Sequence, residues 1–219
     1  HEDVLQAQAE ALAEADTQII DWGIEHNAAG ERADAFLYCV EVKPEGSDYF
    51  IPLAPTWLVG EKSNVVCHWQ RVAGSDRLRP EILVVSAEEA RAYKDKKDAT
   101  VVDGRVIDPF DRSRSWSVEA LRGADGLRRW TNDDIVPRAD DIFQERLYCI
   151  RWVKTVIRKG KRKETRRYAA PDDADIQREA RVLDLLCERL AYWQGKGFIP
   201  SKQIPEGGAK TEEPIRNRG

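Results

Sequence analysis

The chain has 219 residues, 42% of them hydrophobic, which is enough to bury a core in one or two domains. Its 35 basic and 39 acidic residues nearly cancel to a formal charge of -4, so the charge of the whole chain does not point to a polyanionic partner. The longest apolar runs, such as ILVV at 82–85, are far shorter than the roughly 18 residues of a transmembrane helix, and the acidic N-terminus lacks the pattern of a secretory leader. We therefore expect a cytoplasmic protein with no membrane span.

The sequence contains no methionine and ends on EEPIRNRG without a closing element. A natural chain of this length normally contains several methionines. We therefore expect an excised piece of a longer protein, or alternatively a sequence from which modified methionines are missing.

The first half of the chain predicts one helix followed by strands. Apolar residues at steps of three and four predict an amphipathic helix over 4–22. Aromatic and β-branched residues predict a strand over 35–42. The two prolines of 50–59 indicate extended or edge structure, and 64–72 with 81–86 predict an antiparallel pair.

The middle of the chain continues as short elements. Ser86 followed by Glu89 has the pattern of a capping box, which predicts a short helix to about residue 94. Short strands are predicted at 101–102, 105–107 and 116–121, separated by turn residues.

The last third of the chain predicts a hairpin and a long helix. Residues 146–157 fit a buried strand, although their apolar residues would also line a helix. We favour a strand that pairs with 164–170, which places a hairpin tip at 158–163 around Gly160. The sequence APDD then signals a helix start, and apolar spacing carries that helix to Gly195. The expected fold class is α+β, a β-rich body with an N-terminal helix and a long C-terminal helix.

The common catalytic and metal-binding motifs are missing from the sequence. There is no phosphate-binding GxxxxGK[ST], no GxGxxG after a strand and no GxSxG. The acidic pairs Asp133-Asp134 and Asp140-Asp141 fit solvated turns and caps better than a catalytic pair. The cysteines are not spaced as zinc ligands, so we expect them to be reduced and mostly in the core: Cys39, Cys67, Cys149 and Cys187.

One stretch is strongly basic. Between Arg151 and Arg167 nine residues are positive and only Glu164 is negative. Such a tip can follow phosphates and gain affinity by releasing counterions. The alternative is a solvated loop whose charges discourage aggregation of strand edges. Tryptophans beside arginines, as in LRRWTN and CIRWVK, could stack on unpaired bases or fill the core.

Six stretches of the sequence, taken together, resemble a known family: GIEHNAAGERADAFLYCVEV, IPLAPTWLVGEKSN, LRRW, VPRADDIFQERLYCIRW, EARVLDLL and KTEEPIRNRG. They resemble the middle region of large bacterial adenine-specific DNA methylases that contain a zinc ribbon and are often encoded near phage-defence genes. The resemblance extends from about Leu12 to Gly219.

The resemblance implies a segment of a methylase that lacks the catalytic and cofactor-binding motifs of the whole enzyme. The family's Asn/Asp-Pro-Pro-Tyr catalytic motif and its glycine-rich S-adenosylmethionine motif are both missing from this sequence. No catalytic residue and no cofactor is therefore expected here, and S-adenosylmethionine is expected in the full-length parent. The cysteine pairs expected around VKPEGSDY and RVIDPFDRS are replaced by Pro, Asp, Glu and Ser, which implies a degenerate ribbon without zinc. One equivalent of zinc per chain in elemental analysis would contradict this expectation.

The resemblance also implies a division of the chain. Residues 1–30 would form a helical arm, 31–170 a β-rich degenerate-ribbon insert, and 171–219 a helix and linker towards a catalytic domain outside this chain. The insert would hold DNA while the catalytic domain flips and methylates adenine. The residues expected to contact DNA are those of the hairpin, together with a second patch: Arg158, Lys159, Lys161, Arg162, Lys163, Arg166, Arg167, and then Arg128, Arg129 and Trp130.

Two other functions remain open. The tryptophan and arginine content also suits a protein-interaction platform for other components of a defence complex. A free-standing enzyme that uses an unrecognised set of acids is a third hypothesis, and it would require turnover by this chain alone. The expected partners are thus DNA, the rest of the methyltransferase chain and other defence proteins.

Overall fold

The computed structural model describes residues 2–95, 97–124, 126–131, 134–158 and 160–200, without the side chains of residues 95 and 158. Within this part of the chain the helices are α1 (Glu2–Trp22), α2 (Ala87–Ala92), α3 (Val118–Arg122) and α4 (Asp173–Gly195). The strands are β1 (Arg32–Val42), β2 (Ile51–Pro52), β3 (Leu58–Gly60), β4 (Val65–Gln70), β5 (Arg79–Val84), β6 (Val101–Val102), β7 (Arg105–Ile107), β8 (Ser115–Ser117), β9 (Phe143–Arg158) and β10 (Lys161–Ala169). The α+β fold class is confirmed.

The strands form three described sheets with mostly local pairing. Their orders are β10-β9-β1-β2, β3-β4-β5 and β6-β7-β8. The predicted antiparallel pair is present as β4 and β5, with Cys67 opposite Ile82. Cys67 is buried and His68 is half-buried, as the alternation of a strand requires.

By their internal contacts the residues form two compact units. Of the described residues, the terminal unit contains those of 2–36 and 150–199, and the middle unit those of 37–149 together with residue 200. Strands β1 and β9 each contribute residues to both units. The three segments expected from the sequence follow chain order instead, and they stay a prediction.

The middle unit has its own apolar core. Seven buried residues from strands and loops form one cluster: Val42, Tyr49, Ile51, Cys67, Trp69, Leu78 and Val106. Glu41, on the strand beside Val42, is also completely buried and pairs with Arg77 and Arg146. A buried carboxylate requires such partners, because desolvation without them would be prohibitive.

The terminal unit contains both long helices, and both agree with the sequence prediction. Helix α1 ends at Trp22, and Gly23 follows with a φ of +65°, a conformation that suits glycine. Helix α4 begins with a capping box: the Asp172 side chain accepts a hydrogen bond from the backbone N–H of Asp175, and the reverse bond is also present. The guanidinium of Arg178, one turn into α4, lies 5.7 Å from the ring of buried Trp152.

Three details qualify the expectations from sequence. Residues 116–121 do not form one strand, because the Ser117 side chain accepts a hydrogen bond from the N–H of Ala120 and starts α3. All four cysteines are free, but Cys187 is exposed on α4 rather than in the core, because α4 buries little of its surface. No described helix combines the length and the apolar character needed to cross a membrane.

Candidate nucleic-acid interface

The predicted basic hairpin is present as β9 and β10. The strands are antiparallel from Ile150 opposite Ala169 to Arg158 opposite Lys161. Gly160 in the turn has a φ of +72°, which favours glycine over any residue with a side chain. Residues 154–157 and 161–167 are exposed, so this part of the hairpin is a solvated two-stranded ribbon.

The register divides the basic residues of the hairpin between two sides. Residues directly opposite each other in an antiparallel pair lie on the same side of the sheet. Lys163 lies opposite Val156 and Lys154 opposite Thr165, and Lys161 is two residues before Lys163. We call the side that carries Lys154, Lys161 and Lys163 the lysine face.

The lysine face carries unneutralised charge. Lys154, Lys161 and Lys163 are exposed, and none forms an ion pair with a described residue, although the charge of Lys154 is near enough to Glu31 to help lower the pKa of that carboxyl. No position on this side between Trp152 and Arg167 is acidic. Three ammonium groups therefore remain available to an external anion.

The opposite side, which we call the paired face, is largely neutralised within the chain. Glu164 accepts from Arg162 at 2.8 Å and from Arg166 at 2.9 Å. Asp34 on β1 accepts from Arg151 at 2.7 Å and lies 3.5 Å from Arg166. The hydrogen bond to Asp34 raises the pKa of Arg151 above its ordinary value. Three arginines on this face thus share two carboxylates.

Arg167 lies at the base of the lysine face and is bound to Glu31. Its Nε donates to Glu31 Oε1 at 2.9 Å, and Asn27 Nδ2 donates to Oε2 at 2.8 Å. The Arg167 hydrogen bond is the main cause that lowers the pKa of Glu31 to about 2. Glu31 is only 8% exposed. Arg167 therefore anchors the hairpin in the terminal unit, in addition to any contact with DNA.

The second predicted patch lies in the middle unit, and its central charge is compensated. Arg128 donates to Asp141 Oδ1 at 2.8 Å and to Asp134 Oδ2 at 2.7 Å. The bond to Asp141 is the largest of the effects that raise the pKa of Arg128. Arg129 and Trp130 are exposed, and the Arg128 guanidinium lies 6.0 Å from the Trp130 ring.

No family model matches the chain, and neither a curated protein nor a solved structure matches it. The function of the chain can therefore be inferred only from its own residues and from the resemblance to the methylases.

The two segments in which the resemblance implies cysteine pairs lie against each other. The Tyr49 hydroxyl donates to Asp108 Oδ1 at 2.5 Å, and Asp108 also accepts from the N–H of Phe110 at 2.9 Å. Trp116 Nε1 donates to the carbonyl of Glu45 at 3.2 Å. The Tyr49–Asp108 hydrogen bond thus connects these two segments, and Trp116, just after the second, adds a bond to the first. Among the described residues, no three or more His, Cys, Asp or Glu residues are grouped to hold a metal.

The strand register adds one residue to the predicted basic surface. Lys154 lies on the lysine face, closer to the tip than Arg166 and Arg167, but it is not among the predicted DNA contacts. A turn at Gly160 fixes which positions lie opposite each other, so counting back along both strands would have identified Lys154. Lys159 and the side chain of Arg158 lie outside the described residues.

Proposed function

We propose that this chain is a non-catalytic DNA-binding segment of an S-adenosylmethionine-dependent adenine-specific DNA methyltransferase that serves in phage defence. The observation that carries the DNA-binding part is the lysine face, with three exposed ammonium groups that form no ion pair with a described residue. The methyltransferase part is supported by the resemblance alone. Methyl transfer and cofactor binding are assigned to a part of the parent protein other than these 219 residues.

The spacing of the lysine face suits a phosphate backbone. Alternate residues of a strand, such as Lys161 and Lys163, are about 6.6 Å apart. Phosphates of one DNA strand advance about 3.4 Å each along the axis and also rotate around it, so neighbouring phosphates are about 7 Å apart. Two lysines can therefore contact neighbouring phosphates, while Lys154 on the neighbouring strand reaches to the side. Such contacts position a duplex without reading its sequence.

The salt dependence of DNA affinity tests this proposal. A labelled duplex is titrated by fluorescence anisotropy over a range of salt concentrations. Replacing Lys154, Lys161 and Lys163 by Gln should reduce the slope of log affinity against log salt by about 2.7, at about 0.9 per phosphate contact.

A matched control is provided by the paired face. Replacing Arg162, Glu164 and Arg166 by Gln changes the same number of side chains on the same hairpin but removes only one net positive charge. The slope should then fall by about 0.9 at most. Equal losses in both variants, or no salt-sensitive binding by the unmodified chain, would refute the proposal.

A second candidate function is a protein-interaction platform, and helix α1 favours it. None of the residues of α1 is buried, and Leu5 and Leu12 are 53% and 68% exposed. Under this alternative, Leu5→Glu with Leu12→Glu would abolish association with other defence proteins. The lysine-face variant would then leave DNA binding unchanged, which separates the two functions.

A further inference from the structure

A large apolar cavity lies within the middle unit, and none of its lining residues belongs to the lysine face. Its volume is about 780 Å³, within the range of roughly 300–1,000 Å³ that is usual for small-molecule sites. Aromatic side chains from several elements line it, including Tyr38, Trp57, Phe143 and Tyr148. Flat rings on the wall suit a ligand with a planar apolar body, because such rings bury much area and stack in offset or edge arrangements.

The described wall of the cavity carries one charged side chain, and it is positive. Arg122, the last residue of α3, is the only charged residue among the described lining residues, and no acidic residue is included. Arg122 is half-buried and forms no ion pair with a described residue, and its Nε is buried without a hydrogen-bond acceptor. The other arginines that are partly buried in this unit have carboxylate partners, as Arg128 and Arg146 do.

A second unsatisfied donor lines the same cavity. The indole N–H of Trp57 is buried and has no acceptor. A buried donor without a partner costs about 1–3 kcal/mol, and most buried polar groups in proteins are paired. A ligand with acceptor oxygens could remove this cost at Arg122 or Trp57 after a small side-chain adjustment.

We propose that this cavity binds a small amphipathic anion, a planar apolar ring system that carries one carboxylate, sulfonate or phosphate group. The rings would lie against the aromatic wall, and the anionic group would pair with Arg122. A neutral ligand of the same shape would gain the apolar contacts but not the ion pair. A cationic ligand would meet like charge and no carboxylate.

The proposal is tested with a pair of fluorescent probes that differ in charge. Anilinonaphthalenesulfonate has a fused aromatic body and one sulfonate, and N-phenylnaphthylamine has nearly the same body without it. We expect anilinonaphthalenesulfonate to bind saturably with one molecule per chain. Arg122→Gln should weaken its binding about tenfold and change binding of the neutral probe by less than about twofold.

Two further variants make the result specific. Arg91→Gln is the matched control, since Arg91 is an exposed arginine of α2 that does not line the cavity, and it should leave both affinities unchanged. Leu58→Trp should block the cavity and abolish binding of both probes. Leu58 lines the cavity but is not packed against the buried core cluster, so the fold should tolerate this change, as circular dichroism can verify.

Three results would overturn the proposal. These are unsaturable binding of several probe molecules, an equal effect of Arg122→Gln and Arg91→Gln, and unchanged binding to a folded Leu58→Trp variant. Because none of these residues belongs to the lysine face, failure here would leave the DNA-binding proposal untouched.

Discussion

The ion pair between Glu31 and Arg167 should make the stability of the protein depend on pH, and Glu31→Gln should remove that dependence. The pKa of Glu31 falls from its ordinary value of 4.5 to about 2, chiefly through the hydrogen bond from Arg167. At about 1.4 kcal/mol per pKa unit, this sets an upper bound of about 3.5 kcal/mol on the stabilisation. Because the Arg167 side chain is 50% exposed, solvent screening reduces the expected value to about 1.5 kcal/mol.

The sign of the pH dependence follows from the lowered pKa. A carboxyl group whose pKa is lower in the folded protein stabilises it above the unfolded pKa, and that stabilisation is lost as the pH falls. For Glu31 the loss should occur between about pH 4.5 and 2. The free energies of unfolding of the wild type and Glu31→Gln should therefore differ by about 1.5 kcal/mol near pH 7 and converge in acid.

Urea unfolding monitored by tryptophan fluorescence, from about pH 7 down to about pH 2, measures this difference. Glu188→Gln is the matched control, because Glu188 is exposed on α4 without a described partner. It should change the free energy of unfolding by less than about 0.5 kcal/mol at any pH. A Glu31→Gln effect that is independent of pH, or no larger than that of the control, would refute the reasoning.

Three other substitutions test the fold by urea unfolding. Trp152→Ala should lower the free energy of unfolding by about 3–5 kcal/mol because Trp152 is only 2% exposed. Ile157→Ala, at a position that is 74% exposed, should lower it by less than about 1 kcal/mol. Similar losses in the two variants would contradict the difference in burial. Asp172→Ala should lower the free energy of unfolding by about 1 kcal/mol because it removes the N-cap of α4. Asp173→Ala, one residue further along, should lower it by less. The reverse order would contradict the capping box. Asp108→Ala should lower the free energy of unfolding by about 2–4 kcal/mol because it leaves the buried Tyr49 hydroxyl without its acceptor. Elemental analysis should find no zinc in the chain before or after this change. A neutral effect on stability, or stoichiometric zinc, would contradict these expectations.

Local signals were sufficient for the main elements of the fold. The three- and four-residue apolar spacing predicted α1, and the APDD sequence predicted the start of α4, since a helix start depends on the hydrogen bonds of a few adjacent residues. The hairpin was predictable for the same reason, because Gly160 can adopt the positive φ of a tight turn. Residues 116–121 were less predictable, because one side-chain hydrogen bond at Ser117 ends a strand and starts a helix.

The sequence by itself determined how many charges the basic hairpin carries, but only the tertiary structure decided which of them are compensated. Glu31 and Asp34 are more than 100 positions away from their arginine partners in the chain, and no local pattern connects them. Strand pairing brings these acids to Arg151, Arg166 and Arg167, and leaves Lys154, Lys161 and Lys163 without an ion pair to a described residue. The charge of a residue is fixed by its chemistry, whereas its availability to a partner depends on every charge that the fold places beside it.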